Sequence, residues 1–307
     1  MPLIIQDVKV QGPITIESFI KEYPHFQDSS KDLLNQEVRI VGPKKLLFIG
    51  QREVAGTSPQ DKSISVLGSD DATTCHIAVL RHTGSGATSL IHFDGCSIVK
   101  GLESMVAIVN NLTENVSLGR LELHLVGGFL DEKENSHDVS NKILNAVCKS
   151  PHAIHLVTAC ITHHNTVYRN KIPFPVVYGL AVNVKTGELH PASFPDKGPD
   201  IPLRGARHFT GGKENIEIYD SKTEVLTIGP FNYEEMPHID YYLSLSDYQI
   251  RQLLSTSPDQ EREDFAQNIR ASLMQIRDFP NPFLTVFKGQ PRRYRKDAET
   301  GAWIMIT

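Results

Sequence analysis

A chain of 307 residues with 40% apolar and 22% charged side chains reads as an ordinary folded protein, long enough to bury a core without disulfides or a structural metal. Its formal charge of −5 disfavours a dedicated nucleic-acid or anionic-membrane binder, because neutralising phosphates requires a basic excess. No stretch approaches the ~18 apolar residues of a membrane helix, and four scattered cysteines (Cys75, Cys96, Cys148, Cys160) suit a reducing, intracellular compartment better than a secreted disulfide scaffold.

Period-two alternation and β-branched runs predict strands at Leu3–Val10, Glu37–Val41, Leu46–Gly50, Ser63–Leu67, Cys75–Arg81, Thr88–Phe93, Arg120–Val126, Ile154–Ile161, Val176–Asn183, Ile216–Tyr219, Val225–Ile228 and Trp303–Ile306. Helical spacing is clearest at Leu102, Met105, Val106 and Val109. A second helix opens at Ser246-Asp247 and carries Ile250, Leu253 and Leu254; a third carries Phe265, Ile269, Leu273 and Ile276 and stops before Pro280. A weaker helix is expected over 141–148. Segments 131–138 and 163–171 are polar and read as surface loops. The basic cluster Arg292, Arg293, Arg295 and Lys296 reads as a solvated hairpin face. Helices do not alternate regularly with strands, so the expected class is α+β: stacked, largely antiparallel β-sheets with helices outside, in one domain spanning 1–307.

The densest signal lies in residues 63–95, where two apolar runs flank His82-Thr83-Gly84-Ser85-Gly86 and read as a β-hairpin. If Thr83 and Gly84 are the central turn residues, Cys75 lies directly across from His92. A four-residue loop of Gly84 to Ala87 instead brings Ile77 or a near neighbour opposite His92, and makes Cys75 a near-diagonal neighbour. Any even-length turn without a bulge keeps the thiol and the imidazole on one face; an odd-length one separates them. A thiol is mostly protonated at neutral pH and only the thiolate attacks a carbonyl well, so an imidazole within reach supplies the base and later returns the proton. The ordinary alternative is a buried cysteine beside a hydrogen-bonded strand histidine.

The run LGSDDATTCHIAVLRHTGSGATSLIHFDG at Leu67–Gly95 closely resembles the protein N-terminal asparagine amidohydrolase family. The likeness continues through TSPQDKSIS at Thr57–Ser65, ELHLVGGF at Glu122–Phe129, IHLVT at Ile154–Thr158, YGLAVNVKTGEL at Tyr178–Leu189 and IGP at Ile228–Pro230. It implies hydrolysis of the side-chain amide of an N-terminal Asn to Asp with release of ammonia, on proteins and peptides that start with Asn. In that family the new N-terminal Asp feeds the N-degron route to ubiquitin-dependent degradation, and Cys75 matches the nucleophile. A more distant likeness links the Cys-to-His spacing to bacterial chemotaxis-receptor glutamine deamidases and a deamidating toxin, and implies an α-β-β-α sandwich similar to such Cys-His protein deamidases. The chemotaxis enzymes carry a hydroxyl residue six positions before the Cys, where Ser69 stands here. Thr73-Thr74 departs from the small residue usual beside their nucleophile.

The expected mechanism places Cys75 as nucleophile, His92 as base and acid, and backbone N–H groups near Thr74 and Cys75 around the oxyanion; Ser69 is a further catalytic candidate by the chemotaxis likeness, and the identity of a third member stays open. A free N-terminus needs a partner for its ammonium, and Asp70, Asp71 and Asp94 are the nearest carboxylate candidates; turn chemistry is their ordinary reading. Loss of Met1 would expose Pro2 as in the resembled family, although a strand start is the simpler reading. Glycine pairs at 84–86, 127–128 and 211–212 match no phosphate loop and read as turns. No cofactor or metal is called for, His76 and His124 are expected to be structural, and a cytoplasmic or nuclear monomer is expected. Rival readings are a deamidase of internal Gln or Asn side chains and a non-catalytic degron-binding module.

Overall fold

Ile77, Ala78, Val79 and Leu80 are all buried, which requires cover on both faces of their sheet. Ala78 and Leu80 pack with Met105, Val109, Val139 and Ile143 on the helical side, whereas Ile77 and Val79 pack with Leu67, Leu180 and Val182 of a second sheet. The computed structural model describes residues 3–10, 12–113 and 118–306; the Pro2 reading therefore lies outside the described residues.

The first sheet has eight strands in the spatial order Ile216–Glu217, Glu53–Thr57, Thr88–Phe93, His76–His82, Leu121–Gly127, Ile154–Ile161, Leu3–Ile5 and Val8–Lys9. The second has five: Arg39–Ile40, Leu189–Ser193, Leu180–Asn183, Val66–Ser69 and Leu46–Phe48. A four-stranded sheet near the C-terminus and a separate two-stranded hairpin complete the described strands. Helices Ile16–Glu22, His25–Leu34, Ile98–Leu112 and Asn135–Lys149 carry buried apolar residues on the first sheet's outer side, so the molecule mixes helices with several sheets, as an α+β chain does.

Several expectations need correction. Most described strand pairs, including those around His76–His82, are antiparallel as expected, but the sheets are not purely so: Leu121–Gly127, Ile154–Ile161 and Leu3–Ile5 run parallel. Parallel neighbours need a crossover, and helix Asn135–Lys149 supplies it, starting inside the segment read as a polar loop. Leu3–Val10 is a small hairpin bent at Gln6 and Asp7, both at positive φ. The second polar loop ends in the hairpin Thr166–Arg169 with Ile172–Pro175, whose Val167, Tyr168 and Ile172 are exposed. Helices Ile16–Glu22 and His25–Leu34 were not expected; they are short, Pro24 separates them, and tertiary packing of Phe19 on Phe26 (centroids 5.1 Å apart) supports them. The basic strand Arg292–Lys296 is not simply solvated. Arg292 pairs with Asp200 at 2.7 Å and Lys296 stacks on Trp303.

Gly127 and Gly128 end a strand rather than forming a free turn. Both have positive φ, and Gly128 N–H donates to the Cys75 carbonyl at 2.9 Å. A Cβ on Gly127 would lie 2.5 Å from that carbonyl oxygen. Only glycine permits this approach beneath Cys75.

Candidate active site

The hairpin closes through a four-residue loop, Thr83–Gly86, with His82 N–H bonded to the Ala87 carbonyl at 2.9 Å. Its register puts Ile77 opposite His92 and His76 opposite Phe93. Cys75, two residues before Ile77, is thus the diagonal neighbour of His92 on the inter-sheet face, the second of the two expected pairings shifted by one loop position. Leu90, which shares the face of His92, packs in the inter-sheet cluster against which Cys75 also rests. Cys75 keeps partial solvent access.

Ser69 ends a strand of the second sheet, and its hydroxyl lies 2.8 Å from His92 Nδ1, so this contact bridges the two sheets. Both side chains are buried. His92 Nε2 is buried with no partner. Burial lowers the His92 pKa to about 4, against the upward pull of Asp94 and Asp71, so the imidazole is neutral at pH 7. Burial, then the charges of Asp94 and Glu261, push the Cys75 thiol well above its ordinary value, with Arg52 opposing. The resting pair is neutral thiol beside neutral imidazole. Thr74 and Cys75 N–H have no acceptor among the described residues, and Thr74 Oγ1 sits 2.9 Å from Thr256 Oγ1.

The three aspartates are all engaged by cations. Asp94 takes Arg52 Nε at 2.5 Å, Gln51 Nε2 at 2.8 Å and Cys96 N–H at 3.0 Å. Burial raises its pKa, but the Gln51 bond and the Arg52 charge outweigh this and hold it below the usual range. Asp70 is buried and takes Arg262 Nη1 at 2.9 Å; burial and the neighbouring Asp71 charge raise its pKa against Lys197 and Arg262. Asp71, at positive φ, is ion-paired with Lys197.

Glu261, Thr256, Arg262, Lys197, Arg52 and Gln51 escaped sequence reading. They reach the site from strand-end loops and from the 255–262 segment, none of which carries a periodic or motif signal. The histidines expected to be structural are bonded elsewhere: His76 Nε2 to Ser140 Oγ at 2.7 Å on the helical side, and His124 Nδ1 to Thr158 Oγ1 at 2.9 Å. A cavity of about 530 Å³ beside Asp61, Lys62 and Glu224 contains none of the site residues. No helix among the described residues is long and apolar enough to cross a membrane.

The sequence profile described as protein N-terminal asparagine amidohydrolase matches residues 36–305. Proteins of that name from Sus scrofa and Homo sapiens are 44% and 43% identical over 307 residues, covering all of this chain and 98% and 99% of theirs. One from Arabidopsis thaliana is 29% identical over 286 residues, covering 84% of this chain and 80% of its own. With a profile spanning most of its length and full-length relatives well above 30% identity, the chain belongs to the protein N-terminal asparagine amidohydrolase family.

Proposed function

We propose that this protein converts an N-terminal Asn of peptides and proteins to Asp with release of ammonia, using Cys75 as nucleophile, His92 as general base and acid, and Ser69 to orient His92. One observation carries the reading: a buried hydroxyl fixes one nitrogen of His92 and leaves the other without a partner, on the face it shares with the partly buried Cys75.

In the productive tautomer Nδ1–H donates to Ser69 Oγ, leaving the Nε2 lone pair to take the thiol proton. Because thiol and imidazole both rest neutral, that transfer accompanies attack on the Asn side-chain carbonyl instead of preceding it. The S–C bond forms and the carbonyl electron pair moves to oxygen, where the free N–H groups of Thr74 and Cys75 support it. Collapse expels ammonia as His92 returns the proton. Water, deprotonated by His92, then cleaves the thioester to Asp and regenerates the thiol. The Ser69–His92–Cys75 arrangement also supports an architecture shared with Cys-His protein deamidases. The new N-terminal Asp is open to arginylation, which puts the reaction at the head of an N-degron route.

The test is ammonia release from a peptide beginning with Asn, from its N-acetylated form, and from the same peptide with Cys75→Ala enzyme. Release from the free peptide alone, lost by at least about 10⁴-fold in the variant, is expected. Equal rates on both peptides would favour deamidation of internal side chains; peptide binding without turnover by the wild type would make the protein a binding module.

A further inference from the structure

We propose that the Glu261 carboxylate receives the α-ammonium of the substrate and so restricts the reaction to a chain terminus. The inference rests on the function proposed above and names the residue that sets its substrate class.

The substrate's own geometry limits the choice. The α-nitrogen is three bonds from the side-chain carbonyl carbon that the thiol attacks, so the two atoms lie about 3–4 Å apart. Its partner must therefore act at close range on Cys75. Asp94 and Glu261 are the two carboxylates whose charges bear most on that thiol; Asp70 and Asp71 are not among its main influences. Asp94 is already neutralised by Arg52 at 2.5 Å, and Arg52 is fixed further by the Gly212 carbonyl at 2.6 Å. Glu261 has no cation within ion-pair distance among the described residues. Its Oε1 accepts from the Ser255 hydroxyl at 2.5 Å and nothing engages Oε2. Arg251, whose charge acts on Glu261, uses its donors on the backbone carbonyls of Glu261, Arg262 and Glu263 at 2.8–3.0 Å.

The loop bearing Glu261 is tied to the residues beside the nucleophile. Thr256 bonds Thr74 beside the nucleophile, Arg262 pairs with the buried Asp70, and Gln260 Nε2 donates to the Pro173 carbonyl at 2.8 Å. A second group on the face of Cys75 is also open to a ligand, the buried and unpartnered Nε2 of His92. An uncompensated, half-buried carboxylate is costly. Burial, with the Asp71 and Asp264 charges acting against the Ser255 bond and Arg251, raises its pKa to about 7; the Tyr178 phenol and the Cys75 thiol are the other titratable neighbours. An incoming ammonium supplies the missing countercharge. Anchored there, the substrate is measured from its amine, and the extra methylene of Gln carries its carbonyl about 1.5 Å past the thiol.

The experiment compares an Asn-initiated peptide with its des-amino analogue, in which hydrogen replaces the α-ammonium, on wild type, Glu261→Gln and Ser255→Ala. Wild type is expected to favour the amine in kcat/KM by about a hundredfold. In Glu261→Gln that ratio falls toward one through a higher KM for the Asn peptide, and in Ser255→Ala it falls severalfold. The acid limb of kcat/KM near pH 7 also disappears in Glu261→Gln. A discrimination ratio kept by both variants, or a loss shared equally by the two peptides, overturns the assignment. Absence of Cys75-dependent ammonia release from the Asn peptide by wild type would instead overturn the function on which it rests.

Discussion

The two faces of one hairpin carry the same pair of side chains. On the inter-sheet face His92 meets Ser69 at 2.8 Å; on the helical face His76 meets Ser140 at 2.7 Å. All four are buried, and burial lowers both imidazoles, His92 to about 4 and His76 to about 3. The surroundings differ. His76 lies against Ser140 and Gly128, with Asp131 and His137 acting on it and Nδ1 near the Thr74 carbonyl but in no well-formed bond. His92 shares its face with the partly buried Cys75, on which the charges of Asp94, Glu261 and Arg52 act. A buried His–Ser contact is therefore no catalytic signature. Both imidazoles keep one buried nitrogen without a partner, so what sets the proposed catalytic pair apart is Cys75 on the same face as His92.

The largest effect that tests this contrast comes from removing each imidazole in turn. His92→Ala should lower kcat by about 10³–10⁴-fold, the span of a general base, while the protein still unfolds cooperatively. His76→Ala should keep kcat within about threefold but cost roughly 2–4 kcal/mol through the cavity and the stranded Ser140 hydroxyl, read as a lower denaturant midpoint. Comparable kcat losses in the two would erase the distinction between the faces.

The hydroxyls give a smaller version of the same comparison. Ser69→Ala should reduce kcat about 10–100-fold by freeing the His92 ring, as losing an orienting partner does elsewhere. Ser140→Ala should cost about 1–3 kcal/mol of stability, with turnover little changed. Steady-state rates and urea melts on both variants decide the matter, and a silent Ser69→Ala would remove Ser69 from the mechanism.

The mildest effect is in pH. Both imidazoles have folded pKa values below the ~6.5 of an unfolded histidine, so the unfolded chain binds the extra protons. The stability they contribute is complete above about pH 6.5 and is lost as pH falls toward 4 and 3. Urea midpoints between pH 7.5 and 4.5 should decline accordingly, and His76→Asn should flatten the slope. A midpoint that rises on acidification would contradict the burial of both rings.

Much of the site's frame was legible. Alternation in 75–81 and 88–93 fixes two strands, the turn between them permits an even loop, and evenness alone keeps Cys75 and His92 on one side. The helices ending at Leu254 and before Pro280 follow from apolar spacing, an opening at Ser246-Asp247 and a proline stop. Less legible were Ile16–Glu22 and His25–Leu34, too short to show a period, and the parallel strands, whose crossover helix begins in polar residues. Ser69 was indicated by a distant resemblance but not by any local pattern. Nothing in the charged run at 261–264 marked Glu261 apart from its neighbours.

By itself, then, the sequence determined local periodicity, the hairpin's parity and, through a long run of matching residues, the family. Tertiary structure alone decided the company these residues keep. Ser69 reaches His92 across 23 positions and Arg262 reaches Asp70 across 192. Contacts of that kind depend on how two twisted sheets and a C-terminal loop pack, and a period of 2 or 3.6 carries no information about which sheet lies opposite.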